Sequence, residues 1–190
     1  MLIALVASIS SPCLAGNNPI AKAAMHVRAH NAKLGCDVGT MESCNDIITT
    51  EAGFSIDAFP VFYDLNEFLG VQYGLTWPAW TYSAAWNNCS DLVIGSISLP
   101  GDDAAHTWTA CQSGIAVPSF VWLYADGPGQ ICIIDAANAS PPGVYVLDCS
   151  EGLDTPIWAI CAGVYGEVGD DPCEPATEAA TWSAIKQIFK

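Results

Sequence analysis

Apolar residues recur at every second position through most of this chain, a period that suits half-buried strands and not amphipathic helices. In Leu69, Val71, Tyr73, Leu75 and Trp77 they interleave with Gly70, Gln72, Gly74 and Thr76, as in a strand with one buried face. Trp80, Tyr82, Ala84 and Trp86 repeat the pattern against Thr81, Ser83 and Asn87. Further strands are expected over residues 54–59, 92–99, 106–111, 117–125, 130–135, 143–148 and 157–165, with Asp126-Gly127-Pro128-Gly129 as a strong turn. Short strands at regular spacing, separated by Gly/Pro turns, predict an all-β fold. An antiparallel β-sandwich of immunoglobulin or jelly-roll type is the expectation, with a closed barrel as the alternative. Residues 21–30 alternate Ala21, Ala23, Met25, Val27 and Ala29 with Lys22, Ala24, His26, Arg28 and His30. We read them as a strand with one apolar and one basic face, although their alanine content also suits a helix.

Cysteine usage sets the compartment. There are nine cysteines, and none of the spacings after Cys13 is C-x-x-C, which disfavours zinc knuckles, thioredoxin-like sites and haem attachment. Residues 1–15 form an apolar run ending in Cys13-Leu14-Ala15, read as a secretory signal peptide cleaved after Ala15, although no positive residue precedes it. Pro12 leaves this run too short for a transmembrane helix, which needs about 20 residues. Losing Cys13 with the leader leaves eight cysteines for four disulfides in a secreted, extracellular or cell-surface protein. Each neighbouring pair brackets a turn signal, so the expected pairing is Cys36–Cys44, Cys89–Cys111, Cys132–Cys149 and Cys161–Cys173. The disulfide-rich domain is then 16–173, followed by a linker at 174–181. At 182–190, Trp182, Ile185, Ile188 and Phe189 recur at helical spacing, with Lys186 and Lys190 near the end of an amphipathic helical tail.

Charge narrows the partners. Apolar residues make up 52% and charged residues 13%, with a net charge of −15. Between Leu34 and Ile185 there is no lysine or arginine, and all twenty carboxylates lie in that stretch. Such a body has nothing to neutralise nucleic-acid phosphates and is repelled by anionic lipid. Its cations, Lys22, Arg28, Lys33, Lys186 and Lys190, sit on the two end segments.

No motif names a reaction. His26 and His30 have the spacing of a metal pair on a helix, but no nearby carboxylate or thiol completes a set, and a solvated basic face accounts for them. His106 near Asp102 and Asp103 lacks a nucleophile in a recognisable elbow, and Gly53-Phe54-Ser55-Ile56-Asp57 lacks the closing glycine of one. No cofactor is implied, apart from structural calcium at two acidic turns, Asp102–Asp103 and Asp170–Asp171, which offer hard oxygen ligands without EF-hand spacing. Trp77, Trp80, Trp86, Trp108, Trp122 and Trp158 could stack on sugars, but their alternation points first to core packing. Asn88-Cys89-Ser90 and Asn138-Ala139-Ser140 are glycosylation sequons.

A short N-terminal strand, a tight Cys36–Cys44 pair, the Phe54–Phe59 strand, Gly70-Val71-Gln72-Tyr73-Gly74-Leu75-Thr76-Trp77-Pro78 and Cys89 in this order resemble uncharacterised, cysteine-rich secreted proteins of environmental bacteria. The ending Thr181-Trp182-Ser183-Ala184-Ile185-Lys186 is similar to their Thr-Trp-Gly-x-Ile-Lys tail, with Ser183 in place of glycine. More distantly, the strand order resembles cohesin-like and carbohydrate-binding β-sandwiches of cell-surface proteins. The resemblance implies extracellular binding or scaffolding and no catalytic residue. The first expectation is therefore a non-enzymatic structural subunit, homo-oligomeric and able to assemble into a filament or surface layer by donating its basic N-terminal strand. A carbohydrate-binding or cohesin-like module that binds an extracellular protein or polysaccharide is the alternative, and a secreted hydrolase comes third.

Overall fold

The computed structural model describes residues 16–173 except residue 158, so the expected leader, linker and helical tail lie outside the described residues. Twelve strands run in chain order. They are β1 (Lys22–Ala29), β2 (Thr50–Glu51), β3 (Ser55–Thr76), β4 (Thr81–Asn88), β5 (Leu92–Gly95) and β6 (Asp103–Ala116), then β7 (Ser119–Ala125), β8 (Gly129–Ile134), β9 (Tyr145–Leu147), β10 (Leu153–Asp154), β11 (Ala159–Ile160) and β12 (Ala162–Val164). One 3-10 turn, Cys44–Asp46, is capped by Ser43.

β3 organises everything else. Its first half pairs with β7 on one side and β1 on the other, giving a first sheet in the order β4-β7-β3-β1-β11. Its second half pairs with β6 on one side and with β9 and then β8 on the other. That makes a second sheet, β5-β6-β3-β9-β10, with β12 and β2 continuing beyond β8. Register shifts between Phe62 and Gly70 bend the strand from one sheet into the other. Asp64 sits at the bend with φ of 56°, held by Lys22 Nζ at 2.7 Å. The two predicted strands at 54–59 and 69–77 are thus halves of one 22-residue strand.

The sandwich is all-β as expected but not wholly antiparallel, because β1 with β11 and β2 with β12 are parallel pairs. Between the sheets lie Met25 and Val27 of β1, Ile56 and Phe62 of β3, Leu123 of β7 and Ile131 of β8. Val71, Tyr73 and Leu75 face them from the far half of β3. Each large aliphatic or aromatic side chain buried there contributes about 1.5–3 kcal/mol.

Residues 31–49 fold over the outer face of the first sheet. Ile47, Val38 and Met41 cover Ala24, Phe59, Val61, Phe120 and Ile160 in a second apolar cluster. This covering corrects the expected basic face. His26 is buried and its Nδ1 accepts the Ile48 N–H at 3.0 Å, while Arg28 donates to the carbonyls of Gly35 and Asp37. The strand expected to be donated completes its own sheet instead, paired along its length to β3 and at Ala23 and Ala24 to β11.

The disulfides differ from the turn-bracketed pairing, two of them for the same reason. The structure joins Cys36–Cys89, Cys44–Cys173, Cys111–Cys149 and Cys132–Cys161; none of Cys36–Cys44, Cys89–Cys111, Cys132–Cys149 or Cys161–Cys173 forms. Segment 31–49 carries Cys36 to the end of β4 and Cys44 to the end of the domain. Register sets another bridge, since Ala162 opposite Ile131 brings Cys161 opposite Cys132.

Candidate recognition face

The outer face of the second sheet is built from the residues that alternate with its core positions. Reading across the strands, Leu92, Thr107, Gly70, Leu147 and Leu153 form one row. Ile94, Ala105, Gln72 and Tyr145 form the next. Neither row contains a charged side chain, in a chain of net charge −15. Leu92 is 59% and Ile94 71% exposed, on a strand that among the described residues pairs only with β6.

Gly70 shapes the middle. A Cβ there would stand 2.8 Å from the His106 carbonyl oxygen, so the small residue leaves a shallow depression of about 170 Å³ bounded by Ala105, Thr107, Pro141 and Tyr145. Gln72 Nε2 donates to the carbonyls of Pro141 at 2.9 Å and Gly143 at 3.2 Å, holding the β8–β9 loop against its rim. The sequence carried a signal for this face, because the outward positions of the 69–77 alternation are glycine, glutamine and threonine and not charges.

The first sheet is closed by residues 31–49 around β1, but near β4 it presents aromatic rings. Phe54 stacks on Tyr124 at 6.1 Å, Tyr124 meets Trp122 at 5.3 Å, and His30 stacks on Trp122 at 4.0 Å. Tyr82 lies opposite Tyr124 and is exposed. Asp57, buried beneath, accepts from Arg28 Nε at 3.3 Å and contacts His30 Nδ1 at 2.6 Å. Of the tryptophans, Trp77 lies in the core, Trp86 and Trp108 pack against it, and Trp80 is half exposed with Nε1 donating to Pro128. Trp158 is outside the described residues.

The remaining chemistry is internal. His106 Nε2 lies 3.1 Å from the Tyr73 hydroxyl, which bonds Ser119 Oγ at 2.6 Å; its Nδ1 lies 3.0 Å from both Ser90 Oγ and Asn88 Oδ1. Burial lowers the His106 pKa to about 4 and pushes the Tyr73 phenol up. His26 also falls to about 4, through burial first and then the charge of Arg28. Asp102 and Asp103 do not meet His106. Asp102 accepts the N–H groups of Ser98 and Leu99, and Asp103 that of Asn138. Ser55 Oγ accepts from Trp122 Nε1 at 3.0 Å, inside a strand and not an elbow.

The acidic turns satisfy backbone donors. Asp170 accepts from Cys161 N–H and Asp171 from Cys173 N–H. Among the described residues, the one grouping of three possible metal ligands is Glu67, Cys111 and Cys149, and its two sulfurs are joined in a disulfide. Both sequon asparagines are exposed; Asn88 Nδ2 donates to the Ser90 carbonyl and its Oδ1 accepts from Ser90. No helix among the described residues is long and apolar enough to cross a membrane.

No family model matches the chain, and no curated protein matches it. Among solved structures it is similar to a type II cohesin domain from the cellulosome of Acetivibrio cellulolyticus, at 11% identity over 78% of this chain and 96% of that one, with a TM-score of 0.53. It is also similar to a non-cellulosomal cohesin from the archaeon Archaeoglobus fulgidus, at 7% identity over 76% and 91% of the two chains, with a TM-score of 0.51. At such identities the likeness is one of fold. The chain is a cohesin-like β-sandwich, closed by four disulfides.

Proposed function

We propose that this chain is an extracellular recognition module that binds another protein on the outer face of its second sheet. One observation carries the reading: the two uncharged rows, one from β5 to β10 and one from β5 to β9, which start at exposed Leu92 and Ile94 on a body otherwise rich in carboxylates. Five strands at about 4.8 Å spacing span roughly 20 Å, the scale of one side of an ordinary protein interface. Contiguous apolar surface of that kind marks an interaction site. The cohesin-like fold supports the reading, and four disulfides fit an oxidising compartment and hence a secreted or surface protein.

The test is calorimetry against the partner purified from the producing organism's extracellular proteins on immobilised chain. Ile94→Arg and Gly70→Arg should each weaken binding at least 100-fold, while Phe54→Ala and Tyr82→Ala leave it unchanged. Equal affinity of the two arginine variants and the unaltered chain would refute the face.

The aromatic strip of Phe54, Tyr82 and Tyr124 favours a second reading, a polysaccharide surface on the first sheet. Retention on polysaccharide columns that survives Tyr82→Ala with Phe54→Ala rules that strip out.

A further inference from the structure

The described chain begins against two buried carboxylates. Asp148 is 1% and Asp154 9% exposed. Asp148 accepts the N–H groups of Asn17 at 2.8 Å, Ser150 at 2.8 Å and Gly152 at 2.7 Å, and Asp154 Oδ2 accepts that of Asn18 at 2.7 Å. Among the described residues no ion pair reaches either carboxylate. Neutral donors only partly offset the loss of water around a buried charge, and an opposite charge is the usual remedy.

Gly16 lies where that charge is needed. A Cβ on Gly16 would overlap the Asp154 carboxylate, so no other residue fits this position as it stands. A Cβ on Gly152 would lie 2.7 Å from the Gly16 Cα and 2.8 Å from Asp148 Oδ2, which puts Gly16 beside the second carboxylate too. Covalent geometry places a backbone nitrogen about 2.5 Å from its own Cβ position, so the Gly16 nitrogen is within about 5 Å of Asp154. That is the range over which opposite charges act strongly. In an unbroken chain this nitrogen is a neutral amide. The bond before it follows Cys13-Leu14-Ala15, whose small residues at the first and third places suit a leader-cleaving endopeptidase.

We propose that the Ala15–Gly16 peptide bond is the maturation site, and that the α-ammonium released on Gly16 is the counter-charge of Asp148 and Asp154. The peptidase adds water across the amide. The Ala15 carbonyl carbon takes the oxygen and departs as the carboxylate of residues 1–15, and the Gly16 nitrogen takes up the protons to become an ammonium group. Removal of the leader then completes the fold electrostatically as well as releasing the protein. The inference does not depend on the recognition face.

Three measurements test it. The N-terminus of protein exported with its own leader, read by intact mass and stepwise degradation, should be Gly16; any other first residue overturns the proposal. A form starting at Gly16 should melt about 2–4 °C above one carrying a Ser-Gly-Ser extension. An ammonium that gains partners has a raised folded pKa. The advantage should therefore be complete below the unfolded value of about 7.7–8.0 and fade as pH rises through the folded value. Equal melting of the two forms from pH 7 to 10 overturns the proposal. In an Asp154→Asn background the difference should shrink, and if that variant does not fold, the two-form comparison still decides.

Discussion

Acid should weaken this protein well above the range in which most carboxylates titrate, through two histidines kept neutral inside it. His26 and His106 are both buried, and their pKa values fall from 6.5 to about 4. The unfolded chain takes up these protons near pH 6.5 and the folded one only near pH 4. Stability is therefore complete above pH 6.5 and lost as pH falls toward 4. Linkage gives about 2 kcal/mol lost per histidine at pH 5, and about 4 kcal/mol for both. A competing effect has the opposite sign, because acid relieves self-repulsion in a chain of net charge −15. The assay is therefore a comparison. Urea unfolding with the disulfides intact is measured from pH 8 to 5 for the unaltered chain and for His106→Gln. Self-repulsion is nearly common to both. The variant should lose about 2 kcal/mol less than the unaltered chain over that range. Parallel profiles would refute a neutral buried His106, whatever the variant's absolute stability.

Other perturbations probe other contacts. Asp57→Asn leaves Arg28 half-buried without its carboxylate and should cost about 3–5 kcal/mol, seen as a melting point lower by roughly 10 °C; Arg28→Met in the same chain should recover part of it. Thr81 is buried with its hydroxyl unbonded, so Thr81→Val should raise the melting point by about 2–4 °C in scanning calorimetry. Replacing both Cys44 and Cys173 by alanine removes a link between residues 129 apart and should cost about 4 kcal/mol in urea unfolding.

The strands were legible wherever one face is buried and the other open. Val71, Tyr73 and Leu75 face the core as their spacing requires, and β4, β7 and β8 fall where alternation placed them. The unity of β3 was hidden because its two halves obey different rules. Residues 55–63 are covered on both faces and read as a nearly continuous apolar run, whereas residues 70–76 alternate. Pro60, which cannot donate to a ladder, and the polar residues Asp64 and Asn66 interrupt the pattern between them. The disulfide pairing was not legible, because two bridges follow from residues 31–49 folding over the first sheet and Cys132–Cys161 from the register of β8 and β12, contacts no local spacing encodes. The candidate recognition face was half visible: the 69–77 alternation gave its central column, but its rows needed the register of β5, β6 and β9. The basic strand misled because Arg28 and His26 find partners under that same covering segment.

The Cys44–Cys173 bridge has a mechanical consequence. A pull between the start of the domain and whatever follows residue 173 passes from Cys173 directly through sulfur to Cys44, bypassing the 129-residue interval and every strand from β2 to β12. Only residues 16–44 can lengthen, by at most about 3.6 Å each. β1 must then shear from β3, while the Cys36–Cys89 bridge passes part of the load to the end of β4. Under tension the N-terminal strand acts as the yielding element, and the proposed recognition face lies off the shortest covalent path.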